Sequence, residues 1–340
     1  MAKKKRAKKR ILIIIPCVVA VLLTGVILAF VLFPFPAAML MRSMFEKPNL
    51  AAPDGYAQMK ENVITEKNLA YTSAYKDNSL DLYLPKAETG TKLPLIIWIH
   101  GGAYVGGDKS DIEIYATALA SEGYAVASVN YRRAPEANYP VPVIQLGEAT
   151  EWLNAQADTY RLDMTHLLYA GDSAGAHTVS AFALVQTNPA YAALTGISAT
   201  NAAPPEAIKG VLLYCGPFDV QMTHDIGGLF GFMLKRAGWA YFGTAKWADK
   251  FGEEASIKAH VTADYPPAFI TDGNTASFPQ QGKALADALQ AKSVPVTSYF
   301  PEITFEKTAH EYQFLMNTPA GKECFDLTKK FITGRVAPAA

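Results

Sequence analysis

The sequence predicts an α/β fold with a mostly parallel central sheet, helices on both of its faces, a helical cap insertion and a single membrane-spanning helix in front. Beyond residue 60, short apolar runs alternate with segments of helical periodicity, as in a parallel sheet covered by helices. The run Leu95–Ile99 is apolar throughout, which is typical of a strand buried on both faces. A long uncharged stretch follows a basic N-terminal tail.

The N-terminal stretch predicts a membrane anchor. Residues 1–10 hold seven Lys or Arg and no acid, and residues 11–33 hold no charge. As a helix these 23 residues would extend roughly 35 Å, enough for the hydrocarbon core. The basic flank predicts a cytoplasmic tail and an extracytoplasmic body. A cleaved signal peptide is the alternative, but the apolar region is long for one and the sequence at 35–39, PFPAA, is a poor cleavage site.

The composition limits what the body can be. Half of the 340 residues are hydrophobic, which excludes a disordered chain. The 31 basic and 31 acidic residues balance, but removing the tail leaves 24 basic against 31 acidic side chains. This negative body argues against a nucleic-acid partner. Cysteines stand only at 17, 215 and 324; we expect no disulfide framework and, from the Cys and His spacing, no metal site.

The order of elements follows from the apolar pattern. We expect a linker over 34–60 and one folded domain over 61–335. Its strands are predicted at 69–74, 80–84, 95–99, 125–129, 167–170, 211–215, 268–271 and 296–300. Its helices are predicted at 112–121, 143–155, 174–185, 278–291 and 319–333. The insertion at 216–262 is rich in aromatic residues and predicts a cap that lines an apolar pocket; extra helices packed on the core are the alternative.

The sequence Gly171-Asp172-Ser173-Ala174-Gly175 stands between a strand-like and a helical segment. A nucleophile on such a turn needs small neighbours, because strand and helix must approach each other closely. Ser173 is therefore the predicted nucleophile. A serine hydroxyl needs a base to take its proton, and of the six histidines His310 lies after the last strand, just before the final helix. We predict His310 as that base.

The segment His100-Gly101-Gly102-Ala103-Tyr104 ends the central strand. Its glycines allow a close approach of the backbone to the nucleophile. We expect the N–H groups of Gly101, Gly102 or Ala103, together with that of Ala174, to form an oxyanion hole.

Three linked motifs, HGGAYVGGD (100–108), YRRAPE (131–136) and GDSAGA (171–176), resemble those of the α/β-hydrolase fold and, more narrowly, of the hormone-sensitive-lipase-like carboxylesterases. The resemblance covers about 65 to 335 and implies that 61–335 is a catalytic domain that hydrolyses esters through an acyl-serine without a cofactor. It also implies that Tyr131, Arg132 and Glu136 fix the loop after the central strand, here called the oxyanion loop, and take no part in the chemistry. Ala103 departs from the family, which usually has a third glycine there.

The acid of the triad is less clear from the sequence. The family pattern Gly-x-x-Asp, counted from Gly273, reaches Ala276 instead of an aspartate. Asp272, at the end of its strand, is the nearest carboxylate and our first choice. Asp219 is the alternative, and Asn274 or a backbone carbonyl orienting the imidazole is a third possibility.

Together these features predict a membrane-anchored serine carboxylic-ester hydrolase. The expected substrate is a small-molecule or lipid-like ester with an apolar portion under the cap. Two other functions compete with this one: a non-catalytic binding protein of the same fold, and an amidase or peptidase with the same residues.

Overall fold

The computed structural model describes residues 2–45, 50–86 and 90–338, with side chains from residue 14 onward. Its central sheet has eight strands in the order β1-β2-β4-β3-β5-β6-β7-β8. Strand β2 is antiparallel to β1 and β4, and the remaining neighbours are parallel. The strands are β1 Val63–Ala70, β2 Ser79–Pro85, β3 Leu93–Ile99, β4 Ala125–Val129, β5 Leu162–Asp172, β6 Ile208–Tyr214, β7 Ala268–Thr271 and β8 Val296–Tyr299.

The predicted mostly parallel sheet is therefore confirmed, and β4 and β7 have the predicted bounds. The first strand was predicted too late, at 69–74. As an edge strand that pairs only with β2, β1 leaves most of its residues exposed, and its sequence VITEKNLA lacks the apolar run that marks the inner strands.

Helices cover both faces of the sheet. Each face of β3 contributes to a different buried cluster, with Leu95, Ile97 and Ile99 in one and Ile96 and Trp98 in the other. The helices are α1 Ala2–Leu32, α2 Phe35–Met44, α3 Tyr56–Glu61, α4 Glu113–Ser121, α5 Val141–Ala155, α6 Ala157–Tyr160, α7 Ala174–Thr187, α8 Pro189–Thr195, α9 Val220–His224, α10 Gly228–Phe242, α11 Trp247–Phe251, α12 Pro279–Ala291 and α13 Pro319–Thr333.

The predicted linker at 34–60 is largely wrong, because α2 and α3 lie within it. Helix α2 packs against α10 of the insertion, and Ala37, Ala38 and Met41 are buried. The small alanine side chains allow this close packing. Residues 46–49 lie outside the described part of the chain.

The insertion forms a small core of its own over one end of the sheet. Residues of α2, α10 and α11 share a buried cluster with Val105 and Ala134 of the body. The segment that leaves the predicted membrane helix is thus part of the same packed unit as the cap and the loop after β3.

Candidate active site

Ser173 sits on the turn between β5 and α7 with φ 50° and ψ −118°. A non-glycine residue at such a positive φ is strained. Its amide donates to the carbonyl of Tyr214 on β6, 2.7 Å away. A Cβ on Gly171 would lie 2.4 Å from the backbone of Gly175, and one on Gly175 would lie 2.1 Å from the carbonyl oxygen of Ile99. The close approach of strand and helix that the sequence predicts around Ser173 is therefore present.

His310 reaches Ser173 from the loop between β8 and α13. Its Nε2 lies 3.0 Å from Ser173 Oγ, so the structure brings together the predicted nucleophile and base. A quarter of the side chain is exposed, and the surrounding protein lowers the pKa of His310 to about 4 by desolvation. The imidazole is therefore neutral at pH 7 and can accept a proton.

Asp272 lies near His310, but a serine stands between them. Ser277 Oγ is 2.7 Å from His310 Nδ1 and donates a short hydrogen bond to Asp272 Oδ1. Asp272 is 1% exposed and also accepts from the amides of Gly273 and Phe278. Burial raises the pKa of Asp272 to about 6. Sequence reasoning missed Ser277, which lies one residue beyond the position that the family pattern reaches.

The other two candidates for orienting His310 lie elsewhere. Asp219 caps α9 by accepting from the amide of Met222 and pairs with Lys258 Nζ at 2.7 Å. The Asn274 side chain donates to the carbonyls of Pro301 and Glu306. Asn274 thereby fixes the loop that carries the histidine, without bonding to its ring.

The loop after β3 faces Ser173, but Gly101 is not a free donor. Its amide donates to Asp172 Oδ2 at 2.8 Å, so the prediction of Gly101 as an oxyanion donor is wrong. The buried Asp172 also accepts from Trp98 Nε1, and this carboxylate holds the base of the loop. Among the described residues no acceptor takes the amide hydrogens of Gly102, Ala103 or Ala174.

The backbone of this loop adopts left-handed conformations, with φ 101° at Gly102 and 51° at Ala103. A Cβ on Gly102 would lie 2.4 Å from the backbone of Gly106, so only glycine fits there. The loop is also tied to the segment after β4. Tyr131 Oη donates to the carbonyl of Gly101 at 3.3 Å, and the amide of Ala134 donates to the carbonyl of Tyr104.

Arg42 of α2 braces the same loop. Its Nε donates to the carbonyl of Val105 at 2.6 Å, and an Nη2 hydrogen goes to the carbonyl of Ala134. Both Nη atoms also bond to the carboxylate of Glu136. A bidentate arginine–carboxylate pair fixes geometry as well as charge. Glu136 therefore has the structural role that the family resemblance implies, through a partner that was not foreseen.

An apolar pocket opens beside Ser173. Its lining comes from the oxyanion loop, the turn that carries Ser173, the end of β6, the cap and the segment before α12. The lining residues are Ala103, Tyr104, Ser173, Ala174, Pro217, Val220, Thr223, Leu234, Ala237, Gly238, Phe242, Trp247 and Phe278. Few of these side chains are polar. The pocket can therefore hold a hydrocarbon portion of a substrate next to the serine hydroxyl.

The site also contains one group of possible metal ligands. Atoms of Cys215, Asp272 and His310 lie within 4.8 Å of one another. Both ring nitrogens of His310 are engaged by serine hydroxyls, and burial raises the pKa of the Cys215 thiol. A neutral thiol and an engaged imidazole are poor ligands, so this arrangement favours proton transfer over metal binding.

Comparison with known proteins agrees with this fold. A family model described as BD-FAE matches residues 80–289, more than half of the chain. The chain belongs to the BD-FAE family. This BD-FAE protein is 26% identical over 254 residues to "Probable carboxylic ester hydrolase LipM" of Mycobacterium tuberculosis, across 73% of the chain and 56% of that relative. It is 22% identical to "Esterase LipQ" of the same organism, across 68% and 54%. The chain therefore spans about half the length of these curated relatives.

Solved structures confirm the fold of this BD-FAE member. Esterase B from Lactobacillus rhamnosis superposes with a TM-score of 0.69 at 24% identity, over 83% of this chain and 87% of that one. An esterase of Pyrobaculum calidifontis gives a TM-score of 0.63 at 20% identity, over 82% and 88%. The α/β-hydrolase architecture and the carboxylesterase resemblance expected from the motifs are thus confirmed.

We predict that Gly175→Ala destabilises the protein by more than about 2 kcal/mol, since its methyl group would overlap the Ile99 carbonyl. Gly147→Ala is the matched control: it lies inside α5, where the nearest atom is 3.7 Å from the new Cβ. That change should be neutral or stabilising by up to about 1 kcal/mol. Denaturant unfolding measures both, and equal stabilities of the two variants would contradict the close-approach explanation.

We predict that Arg42→Ala lowers kcat/KM for a soluble ester by about 10- to 100-fold, because the oxyanion loop loses its brace and small misplacements are costly in catalysis. Arg132→Ala is the control. The resemblance implied that Arg132 also fixes the oxyanion loop, but its guanidinium pairs with Asp77 instead, at an exposure similar to that of Arg42. Steady-state kinetics give kcat/KM of the wild type and of both variants. The same loss in both variants would assign no special role to Arg42.

Proposed function

We propose that this protein is a serine carboxylic-ester hydrolase that works through an acyl-enzyme on Ser173. The observation that carries the proposal is the 3.0 Å contact between Ser173 Oγ and His310 Nε2 beside an apolar pocket. A strained serine, a neutral imidazole and free amide hydrogens on one side of a hydrocarbon-lined cavity are the parts that acyl transfer needs.

The reaction begins when Ser173 Oγ attacks the ester carbonyl and its proton passes to His310 Nε2. The carbonyl oxygen becomes negative and is stabilised by the amide hydrogens of Gly102, Ala103 and Ala174. Collapse of this tetrahedral intermediate breaks the bond between the carbonyl carbon and the alcohol oxygen, and His310 gives its proton to the leaving alcohol. Water then attacks the acyl-serine, with His310 again taking and returning one proton, to release the carboxylic acid.

The hydrogen bonds behind His310 fix which ring nitrogen carries the proton. Ser277 donates its hydroxyl hydrogen to Asp272, so its oxygen is left to accept from His310 Nδ1–H. The lone pair of Nε2 is then free to face Ser173. We propose that Asp272 is the acid of the triad and acts through Ser277, its negative charge stabilising the imidazolium that forms in each step.

The pocket supports an ester with an apolar portion as the substrate. The relatives above are described as ester hydrolases, and the similar Esterase B has been solved inhibited with a tributyrin phosphonate. The carbon-rich lining of this pocket suits a comparable acyl chain.

We further propose that the chain is a single-pass membrane protein with a cytoplasmic N-terminus and an extracytoplasmic catalytic domain. The segment Ile14–Leu32 is long and apolar enough to span a bilayer, a test that a signal sequence also passes. Arg236 of the cap donates to the carbonyls of Phe30 and Val31. Cleavage before the body would remove these partners, which favours an anchor that is retained.

Hydrolysis of p-nitrophenyl butyrate tests the proposed activity, with the matching p-nitroanilide as the amide control. We expect turnover of the ester by the full chain, at least about 100-fold above the anilide, and loss of about 10⁴-fold or more in Ser173→Ala and His310→Ala. An unreactive wild type would support the binding-protein alternative, and equal turnover of both substrates would support an amidase.

We predict that Asp272→Asn lowers kcat by about 10³- to 10⁴-fold and Ser277→Ala by about 10²-fold, whereas Ser277→Thr, which keeps the hydroxyl, recovers most of the loss. Because the pKa of Asp272 is about 6, kcat/KM of the wild type should fall as the pH drops through 6 and this carboxylate is protonated. This fall in kcat/KM near pH 6 should be absent from the pH profile of Asp272→Asn. Wild-type kcat in Ser277→Ala would contradict the indirect role of Asp272.

We predict that Leu234→Ala shifts the preferred p-nitrophenyl ester to a longer acyl chain. Each methylene that the enlarged pocket can bury contributes about 0.8 kcal/mol, or about fourfold in kcat/KM. Leu327→Ala, a half-buried leucine on α13 away from the pocket, should leave the preference unchanged. If Leu234→Ala leaves the preferred acyl chain length unchanged but shifts the preferred alkyl chain length among alkyl acetates, this pocket holds the alcohol portion of the ester instead.

A further inference from the structure

One face of α10 joins the cap to the end of the apolar helix α1. Leu229, Phe232, Arg236 and Trp239 are spaced by three or four residues and therefore share a side of the helix; we call this set the α10 outer face. Leu229 is 79% exposed. The guanidinium of Arg236 lies 4.8 Å from the ring centre of Phe232 and 5.3 Å from that of Trp239.

Arg236 places this face at the level where α1 ends. Its Nε donates to the carbonyl of Phe30 at 3.0 Å and its Nη2 to that of Val31 at 2.7 Å. Carbonyls in the last turn of a helix have no partner within it, and the negative end of the helix dipole favours a cation there. The contact therefore fixes the cap against the last turn of the proposed span.

We propose that the α10 outer face rests on the outer surface of the bilayer and that the enzyme takes its ester substrate from the lipid phase. The inference rests on the proposed function and names its substrate class: acyl esters dissolved in a membrane. The partner of the face is the bilayer itself, because Arg236 on this face is hydrogen-bonded to the last turn of the apolar helix.

The residue types on α10 fit this location. The helix, GLFGFMLKRAGWAYF, contains Lys235 and Arg236 and no acidic residue. Cationic, tryptophan- and phenylalanine-containing helices bind at the boundary between headgroups and acyl chains, and tryptophan is enriched there. Two exposed aromatic side chains, Phe33 and Phe35, lie in the chain that leaves α1, so apolar surface continues from the span to the cap.

The opposite side of α10 lines the pocket through Leu234, Ala237 and Gly238. At the start of the helix the half-exposed Phe230 stacks on Phe278 with 6.2 Å between ring centres. Phe278 in turn meets the His310 ring edge-on at 5.1 Å. An apolar path therefore leads from a side chain next to Leu229 to the reacting groups. Phe278 also lines the pocket, so a hydrocarbon chain that enters along these rings would reach Ser173 over apolar side chains.

The first test measures the depth of the face and does not depend on activity. A spin label on Leu229→Cys, in the full chain with Cys17→Ala, is reconstituted in phosphatidylcholine–phosphatidylglycerol vesicles. Cys215 and Cys324 are buried and stay unlabelled. We expect the label to be relaxed more by oxygen than by a water-soluble nickel chelate. The control, Leu194→Cys, replaces a leucine on α8 that is 51% exposed and should show the reverse.

Water-like accessibility at position 229, equal to that at 194, would overturn the proposal. Low accessibility to both reagents together with dipolar broadening would place a second copy of the chain on this face, and would overturn it as well.

The second test compares two ester substrates with Leu229→Asp. Turnover of soluble p-nitrophenyl butyrate should stay within about twofold of the wild type, since Leu229 does not line the pocket. Turnover of diacylglycerol in the same vesicles should fall at least tenfold, and Leu194→Asp should change neither. Equal effects on both substrates would overturn the lipid route. A wild type that hydrolyses neither ester would overturn the proposed function and this route, while the depth measurement still decides the docking.

Discussion

The contact between the start of α7 and the end of β3 is the constraint on which the site depends. At Gly175 the helix lies so close to the carbonyl of Ile99 that a side chain would not fit. This contact holds Ser173 in its strained turn, and the residues that follow Ile99 are those of the oxyanion loop. The positions of Ser173 and of the amide groups in the oxyanion loop are therefore set by one packing contact between two buried elements.

The proposed mechanism also requires a carboxylate that acts on His310 without touching it. Asp272 is buried at the end of β7 and accepts hydrogen bonds from two amides and from Ser277. Those donors favour its charged form while burial opposes it, and the outcome is a pKa of about 6. At neutral pH the carboxylate is charged and the imidazole is neutral, which is the starting state that general-base catalysis requires.

Much of the fold was predictable because its signals are local. Continuous apolar runs mark the inner strands. The glycines around Ser173 indicate that the strand before it and the helix after it approach each other closely. Ser277 was not predictable, since an Asp-Gly pair followed by small polar residues resembles an ordinary turn and only the folded loop directs that hydroxyl to His310. Gly101 was misjudged because its amide is taken by Asp172, which is near in space and 71 residues away in sequence.

The segment after α1 was misjudged for a similar reason. Prolines at 34 and 36 indicate a break, but the packing of α2 depends on partners such as Glu136, 94 residues from Arg42. As a result the segment after α1, the cap and the oxyanion loop share one buried cluster. The proposed attachment to the membrane and the assembly of the site are thus physically connected, and the proposed lipid route extends this connection to the substrate.

The central claim is that Ser173 carries the acyl group during turnover. Acid quenching of the full-length enzyme during hydrolysis of p-nitrophenyl butyrate, followed by proteolysis and mass spectrometry, tests it directly. We expect a peptide containing Ser173 that is heavier by one butyryl group, and no such peptide in His310→Ala. Substrate turnover with the acyl group on another residue, or with no acyl-enzyme under any quench condition, would contradict it.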